Sequence, residues 1–241
     1  MRVSILSDIH GNLTAFEAVL SDLRDLSPDL VFHAGDLADT GSGPAEIVDR
    51  IRELRWAGVM GNTDEMLVRP QALEDFARAS SAPPSLWDAV REIAAATRDA
   101  LGENRLEWLR SLPVALPQPD FAIVHATPES AWRTLPETAS QAHIESTYSG
   151  LGAPIVVFGH THRPSVRQLN SRVRLLINAG SVGLPYDGDP RASYLVLEDG
   201  KPEIRRVEYD TEREIRALVS SGLPGVDWIS RMLRTGAPHL P

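Results

Sequence analysis

The chain has 241 residues, of which 42% are hydrophobic and 24% charged, so it can bury a substantial core as an ordinary globular protein. It contains no cysteine, which excludes disulfides, thiolate metal sites and cysteine nucleophiles. Its formal net charge of −9 argues against extended nucleic acid and anionic membranes as partners.

The N-terminal sequence does not have the pattern of a targeting segment. Its first apolar run stops at Asp8 and His10, which is too early for the apolar region of a signal peptide. No stretch approaches the roughly 18 apolar residues that a membrane-spanning helix needs. We therefore expect a cytoplasmic protein that has no membrane partner.

The first sixty residues repeat a strand–turn–helix plan. Short apolar runs predict strands at 2–7, 30–33 and 57–60, and apolar residues at helical spacing predict helices at 13–25 and 44–55. This alternation favours a mostly parallel sheet with polar groups at the ends of its strands.

Residues 65–112 have a different character from the segments around them. Helical patterns lie near 66–79, 85–101 and 103–110, and Pro83-Pro84 interrupts them. We interpret this region as a helical insertion or cap beside the sheet. The alternative is outer-layer packing that makes no contact with a substrate.

From residue 120 the strand patterns resume. Short turns such as Glu198-Asp199-Gly200 join the later strands and predict a hairpin or meander sheet. Two helical patterns, at about 211–221 and 226–234, form a C-terminal helical segment. With no internal repeat or linker, residues 1–241 are predicted to form a single domain. The predicted strands of this half lie at 121–125, 155–159, 173–178, 193–198 and 203–209.

Polar clusters stand at the ends of five predicted strands. Because the loops after parallel strands converge on one sheet edge, clusters that are far apart in sequence can meet there. Each has an ordinary explanation when taken alone: a helix cap, a turn or a hydrogen-bonded structural histidine. The clusters are Asp8-Ile9-His10, Gly35-Asp36, Gly61-Asn62-Thr63-Asp64, His125 and Gly159-His160-Thr161-His162.

Together the clusters form a mixed nitrogen and oxygen ligand set without sulfur. Such a set suits Mn, Fe or Zn better than Ca or Mg. Seven ligands are too many for one ion and suit two ions that share a carboxylate. The oxygen ligands are Asp8, Asp36 and Asn62, and the imidazoles are His10, His125, His160 and His162.

The ordered series of motifs resembles the calcineurin-like metallophosphoesterases. The local sequences SDIHGN, HAGD, FGHTH and NAGSVG are most similar to those of the small bacterial and archaeal phosphodiesterases of that family. The resemblance implies an α/β protein, a four-layer α/β/β/α sandwich of two mixed sheets flanked by helices. It also implies two divalent metal ions, with Mn favoured and Fe, Zn or Ni as alternatives.

The resemblance further implies how the ligands divide. Asp8, His10, Asp36 and His162 would hold one ion. Asp36, Asn62, His125 and His160 would hold the other, with Asp36 bridging and Asn62 also able to contact phosphate. Phosphate esters would then be hydrolysed by a hydroxide that bridges the two ions, without a phosphoenzyme and with inversion at phosphorus.

One position departs from a common pattern of this family. Many relatives have histidine after the asparagine of the third motif, where it is thought to protonate the leaving oxygen, but this chain has Thr63. A threonine hydroxyl is a poor general acid near neutral pH. We therefore expect a preference for esters with good leaving groups, or an acid from elsewhere. The alternative is that Thr63 is simply a turn residue.

Three further residues near the motifs have two interpretations each. Asn12 either contacts phosphate or caps the following helix. Asp64 either orients neighbouring groups or serves a turn. Arg133 either clamps a substrate phosphate through its planar fork or is a solvated loop residue.

The expected activity is therefore hydrolysis of small phosphorylated substrates, with phosphodiesters favoured. The enzymatic alternatives are a phosphomonoesterase or phosphoprotein phosphatase and a nucleotide polyphosphate hydrolase. The alternative of another class is a non-catalytic scaffold on the same fold, as with the retromer subunit of this family. The physiological substrate and the oligomeric state are not predicted.

Overall fold

Two mixed β-sheets form the centre of the protein in a computed structural model that describes residues 1–241. Each sheet has five strands, in the orders β10-β9-β1-β2-β3 and β4-β5-β6-β8-β7. The strands are β1 (Arg2–Leu6), β2 (Leu30–His33), β3 (Ala57–Gly58), β4 (Ala115–Pro117), β5 (Ala122–Val124), β6 (Ile155–Phe158), β7 (Ser165–Gln168), β8 (Leu175–Asn178), β9 (Ala192–Glu198) and β10 (Lys201–Val207).

Eight α-helices accompany the two sheets, which confirms the predicted four-layer α/β class. No helix is both long enough and apolar enough to cross a lipid bilayer. The helices are α1 (Leu13–Leu26), α2 (Pro44–Leu54), α3 (Asn62–Val68), α4 (Pro70–Ala79), α5 (Pro84–Arg110), α6 (Gln141–Tyr148), α7 (Thr211–Ser221) and α8 (Val226–Thr235).

The inner faces of the two sheets pack on each other. Alternating residues of β1, such as Val3 and Ile5, meet residues of the second sheet, such as Ile123 and Val157, in one buried cluster. The opposite face of the first sheet packs on α1, α2, α3 and α5. The opposite face of the second sheet packs on α6, through Ile144. Both sheets are therefore largely covered on two sides, and the ends of their strands are open to a site.

The parallel strands of both sheets point toward a common edge. In the first sheet β1, β2 and β3 are parallel, and in the second β5, β6 and β8 are parallel. The antiparallel strands lie outside these groups: β9 and β10 form a hairpin beside β1, β4 pairs with β5, and β7 pairs with β8.

Several predicted elements need correction. The strand predicted at 173–178 does not join 193–198 in one meander, because β8 lies in the second sheet and β9 in the first. The segment between them passes along the end of β1 instead, where Val182 N–H donates to Ser7 O and Gly183 N–H donates to Asp8 O. Only the β9–β10 pair forms the predicted hairpin.

Three elements were not predicted from the sequence: β4, β7 and α6. The strands β4 and β7 are the short edge strands of the second sheet, and β7 is mostly exposed, so neither carries a strong apolar pattern. Helix α6 buries only Ile144 and Tyr148, which is too few for a periodic signal, and begins at a Ser140 cap.

Two helix boundaries also differ from the predicted ones. The helix expected at 66–79 begins at Asn62 and is divided into α3 and α4, because Pro70 opens a new helix. The helices expected at 85–101 and 103–110 are parts of α5, which is kinked at Gly102. Gly102 has φ 67° and ψ 163°, a backbone region that is essentially restricted to glycine.

Substituting Gly102 with alanine is expected to destabilise the protein by about 1–3 kcal/mol, since the added Cβ strains this backbone conformation. The space around the position is open, so the cost comes from the backbone and not from a clash. Gly150→Ala is the matched control because Gly150 has equally open surroundings and no positive φ. Urea unfolding of both variants measures the difference, and equal free energies of unfolding would contradict the argument.

Candidate metal centre

The structure brings all seven predicted ligand residues to the edge that the two sheets share. Asp8, Asp36 and Asn62 follow the parallel strands β1, β2 and β3. His125 follows β5 directly, and His160 follows β6 with His162 two residues later. The loops after five parallel strands therefore supply the whole group, as expected for strand ends of an α/β sheet.

A first group consists of Asp8, His10, Asp36 and His162. All four are buried, and one ligand atom from each lies within 4.8 Å of the others. Nε2 of His10 is 3.1 Å from Nε2 of His162 and 3.6 Å from Oδ2 of Asp36. Nε2 of His162 is 3.2 Å from Oδ1 of Asp8. Two carboxylates and two imidazole nitrogens thus converge on one point.

A second group adjoins the first and also contains Asp36. Oδ1 of Asn62 lies 2.9 Å from Nε2 of His125 and 2.8 Å from Nδ1 of His160. Nε2 of His125 is 3.4 Å from Oδ2 of Asp36. The same carboxylate oxygen of Asp36 therefore approaches an imidazole of each group.

These spacings fit a divalent ion. Ligand atoms that bind one ion at about 2.0–2.2 Å lie about 3–3.5 Å from each other. Most of the distances within the two groups fall near this range. The donor set of carboxylate, amide oxygen and imidazole is also one that Mn, Fe or Zn accepts. The residues present are therefore compatible with bound metal.

Backbone strain is concentrated at the same residues. Nine non-glycine residues have a positive φ, and five of them belong to the seven predicted ligands. Such conformations are costly and persist where the surrounding structure enforces them, typically at functional sites. The five are Asp8 (φ 53°), His10 (φ 50°), Asp36 (φ 56°), His160 (φ 66°) and His162 (φ 58°).

Asp64 holds the loop that carries Asp36. Its buried carboxylate accepts hydrogen bonds from the backbone N–H groups of Asp36 (2.8 Å), Leu37 (2.9 Å) and Gly61 (2.9 Å). Gly61 must be small here, because a Cβ atom would overlap Oδ1 of Asp36. The side chain of Asp36 is fixed in turn by Thr63 N–H, which donates to its Oδ1 at 2.8 Å.

Replacing Asp64 with asparagine is expected to weaken metal binding about 10–100-fold, the effect typical of losing an outer partner of a ligand. The NH₂ group of asparagine would replace one of the two oxygens that accept from these backbone N–H groups. Two donors would then face each other, so the loop that carries Asp36 would shift. Titration with Mn²⁺ by calorimetry measures the change. Asp210→Asn is the matched control, since Asp210 caps α7 by accepting from Arg213 N–H away from the site. Equal Mn²⁺ affinities in the two variants would contradict this role.

Backbone carbonyls orient two of the imidazoles. Nδ1 of His125 lies 2.7 Å from Ala34 O, and Nδ1 of His162 lies 2.5 Å from Leu184 O. Each contact requires a proton on Nδ1, which leaves Nε2 free as a ligand atom. The ring of Tyr186 stacks on His162 with a centroid distance of 4.3 Å and an interplanar angle of 15°. Sequence patterns had no signal for Leu184 or Tyr186.

Burial and the two carboxylates set the protonation of the imidazoles in the metal-free protein. Burial lowers the pKa of His10 and of His160 to about 4, so both are neutral at pH 7. Burial would also lower the pKa of His125, but the charges of Asp36 and Asp8 and the Asp36 contact outweigh it and raise this pKa to about 10. Although burial opposes it, the nearby His125 and His10 lower the pKa of Asp36.

The other predicted residues lie around this centre. Asn12 is buried and caps α1: its Oδ1 accepts from Ala15 N–H at 2.9 Å, and its Nδ2 donates to Gly183 O at 2.9 Å. The amide of Asn12 is therefore already engaged with the fold. Arg133 is exposed and lines a polar cavity beside the loop that follows His125. The hydroxyl of Thr63 is buried without a hydrogen-bond partner.

The fold and the site together define a class: a two-sheet α/β protein with a buried carboxylate and imidazole group that can bind metal. Within that class the chain belongs to the calcineurin-like phosphoesterase superfamily, whose domain model matches residues 1–200. This superfamily is metal-dependent, which agrees with the buried Asp and His group that could hold a metal ion here.

The relatives support the assignment over the full chain. An uncharacterized protein of Methanocaldococcus jannaschii is 30% identical, and the similarity covers 97% of this chain and 98% of that protein. A crystal structure of a metallophosphoesterase from Sphaerobacter thermophilus has 28% identity and a TM-score of 0.79, over 98% of this chain and 99% of that one. A symmetrical bis(5′-nucleosyl)-tetraphosphatase of Aromatoleum aromaticum is 28% identical over 62% of this chain, which spans 53% of that enzyme.

Proposed function

We propose that this protein hydrolyses phosphodiesters at two divalent metal ions, with Mn²⁺ preferred and Fe, Zn or Ni as alternatives. One observation carries the proposal: the seven donor side chains fall into two adjacent groups that share Oδ2 of Asp36. The first ion would be held by Asp8, His10, Asp36 and His162, and the second by Asp36, Asn62, His125 and His160. A single ion in the first group would leave Asn62, His125 and His160 unused.

Charge balance supports an anionic substrate. Two divalent ions bring four positive charges, while Asp8 and Asp36 are the only carboxylates among the donors. The loaded centre would therefore keep a positive charge and attract a phosphoryl group, although the chain as a whole is acidic. When bound, the ions supply hydroxide near neutral pH and neutralise charge that develops on phosphate.

The residues of the chain hold and orient this chemistry. Asp36 keeps the two halves of the centre at a fixed separation, since its Oδ2 faces both His10 and His125 while its backbone is held by Asp64. Asn62 is half-buried, so its amide can also contact a phosphoryl oxygen. Because these donor side chains are held rigidly, they need little rearrangement when charge develops in the transition state.

Thr63 sets the preference among esters in this proposal. Its hydroxyl has no hydrogen-bond partner through which a proton could be relayed, and it hardly ionises near neutral pH. The leaving group must therefore depart with little help from a side-chain acid. Thr63→His is expected to raise kcat for alkyl phosphoesters by roughly 10²-fold or more, the lower range of general-acid catalysis, and to change kcat for p-nitrophenyl esters little. Steady-state rates with both esters test this, with Thr63→Asn as the matched control. Equal gains for both esters would contradict the argument.

We also propose that residues 65–112 form a helical insertion or cap beside the centre, within a single domain. Nε1 of Trp132, from the loop after His125, donates to Oε2 of Glu65 at 2.9 Å, and the ring of Trp132 lies 4.9 Å from that of Phe76 on α4. These contacts support a cap that is joined to a ligand-bearing loop. We propose that this cap also contacts the substrate.

Nucleotide polyphosphate hydrolysis is the second candidate function. The similarity to a bis(5′-nucleosyl)-tetraphosphatase favours it, although the similarity spans only about half of that enzyme. Its substrates contain phosphoanhydride bonds, which need less assistance to the leaving group than an alkyl ester does. The absence of a histidine at Thr63 is compatible with either activity.

A substrate panel with Mn²⁺ distinguishes these functions. The expected result is turnover of bis-p-nitrophenyl phosphate and of diester substrates above p-nitrophenyl phosphate and phosphopeptides. Faster turnover of diadenosine tetraphosphate than of any diester would favour the second candidate. Fewer than one tightly held ion per chain, with no turnover of any substrate, would overturn the proposal in favour of a non-catalytic scaffold.

A further inference from the structure

A cavity of about 350 Å³ lies on the outer side of the second sheet, between β6, β7, β8 and α6. Residues 134–137 and 139 also line it. Its volume is in the range of small-molecule sites, which are typically about 300–1,000 Å³. None of the proposed metal ligands lines it, so the proposed centre does not account for it.

One proposed ligand-bearing turn of the second sheet lines this cavity, and a residue of the lining contacts the other turn. Thr161, which lies between His160 and His162, lines it directly. Tyr148, also part of the lining, donates its hydroxyl to Ala126 O at 2.8 Å, next to His125. The segment 160–162 therefore belongs both to the cavity lining, through Thr161, and to the proposed metal centre, through His160 and His162.

The lining has two distinct parts. The floor is apolar and partly aromatic, formed by Phe158, Tyr148, Ile144 and Leu176. Tyr148 is only 1% exposed, so the half-buried Phe158 is the aromatic ring of the lining that a group in the cavity can reach. An apolar floor with an accessible aromatic ring favours a planar aromatic group, which stacks well on such a surface.

The rim of the cavity is positively charged. Arg163 and Arg167 line it, together with one acidic residue, Glu137. Arg163 Nη1 forms a long ion pair of 3.9 Å with Oε1 of Glu137, and its Nε donates to Tyr186 O at 3.0 Å. Arg167 Nη1 donates at 3.3 Å to the backbone carbonyl of Glu137, and Nη2 of each arginine has no hydrogen-bond partner in the protein. Both arginines remain able to bind a phosphate oxygen by charge-assisted hydrogen bonds.

We propose that this cavity binds a nucleotide-like part of the substrate, with an aromatic base on the floor and a phosphate at Arg163 and Arg167. The inference rests on the proposed function, because it assigns the cavity to a group of the phosphoester that is hydrolysed at the adjacent centre. An ester with two small groups would leave the cavity empty. The site therefore selects for nucleotide-bearing esters.

The first test separates the base from the phosphate. Adenosine 5′-monophosphate and ribose 5-phosphate are compared as inhibitors of bis-p-nitrophenyl phosphate hydrolysis by the Mn²⁺-loaded protein, at initial rates. We expect the adenosine compound to inhibit at least about tenfold more strongly, the change that one base–aromatic contact produces. Equal inhibition constants would overturn the proposal.

Filling the cavity should remove this preference. Ser165 is exposed on β7 and lines the cavity, so Ser165→Trp places a bulky ring in it. Val166→Trp is the matched control, because Val166 is the next residue on the same strand, is 44% exposed and faces the other way. We expect Ser165→Trp to bring the two inhibition constants together and Val166→Trp to leave them apart. Loss of the preference in both variants would contradict a role of the cavity.

The arginines should affect both inhibitors alike. Arg163→Ala combined with Arg167→Ala is expected to weaken both about tenfold without changing their ratio, since the two compounds share only the phosphate and sugar. Arg172→Ala is the control, an exposed arginine outside the cavity. Unchanged inhibition in the double variant would refute the phosphate assignment.

The two proposals fail in different ways. If no phosphoester is hydrolysed with any metal, the proposed function fails, and the inhibitors are then compared by calorimetry on the Mn²⁺-loaded chain. If bis-p-nitrophenyl phosphate is hydrolysed but the base adds nothing to inhibition, the proposed function stands and the cavity assignment is refuted.

Discussion

Asp36→Asn is expected to lower kcat for phosphoester hydrolysis by about 10³-fold, because a metal ion contributes several kcal/mol to charge stabilisation and about 1.4 kcal/mol is a tenfold rate change. Oδ2 of Asp36 approaches both His10 and His125, so no other side chain can replace it between the two groups. The asparagine amide has no negative charge, whereas the Asp36 carboxylate would share its charge between two cations. We therefore expect the variant to lose at least one of the two ions.

If Asp36 bridges the two metal sites, Asp36→Asn must lower both the number of bound ions and kcat. Elemental analysis should find about two ions per chain in the original protein and one or fewer in the variant. The matched control is Asp25→Asn, the same chemical change at an exposed position of α1. A variant that keeps two ions and full activity would refute the bridging role. Near-ultraviolet circular dichroism of the two variants would show whether the fold is retained.

The affinity of the metal-free protein for Mn²⁺ is expected to rise at least about tenfold per pH unit between pH 7 and pH 10, because binding must displace one proton from His125. The carboxylates of Asp36 and Asp8 outweigh burial and raise the pKa of His125 to about 10, so the ring is protonated below that pH and cannot be a ligand. His10 and His160 add no slope, since burial lowers the pKa of each to about 4 and both are already neutral.

The sign of this effect is directly measurable. Calorimetric titration with Mn²⁺ at pH 7.5 in two buffers of different ionisation enthalpy should give release of at least about one proton per chain, one from His125 and up to one more from water bound by the ions. His125→Asn should lower both the affinity and the number of protons released. His143→Asn, at an exposed position near the start of α6, is the matched control and should change neither. Uptake of protons, or no release, would contradict the charge state inferred for His125.

Some elements were predictable because their signal is local. The first strands and helices follow from short apolar runs and helical periodicity, and β1, α1, β2 and α2 lie within a residue or two of the predicted ranges. The residues of the site were also recognisable, since each follows a strand that the pattern identifies. Their functional roles as ligands remain predictions.

Other elements lacked a local signal. Helix α6 buries only two side chains, and the edge strand β7 is largely exposed, so neither shows an apolar period. The pairing of β8 and β9 with different sheets depends on contacts between residues far apart in the chain, such as Gly183 with Asp8. These missed elements are the ones that enclose the cavity near Arg163.

The sequence by itself determined the class of fold and the set of side chains available for metal, because strand periodicity and residue type are local properties of the chain. Tertiary structure alone decided how those side chains meet. It brings Asp36 between His10 and His125, holds it through the buried carboxylate of Asp64, and sets the pKa of His125 by the proximity of charges that lie about ninety residues or more away in sequence. Distances, burial and shared charges are properties of the packed molecule, and no spacing along the chain contains them.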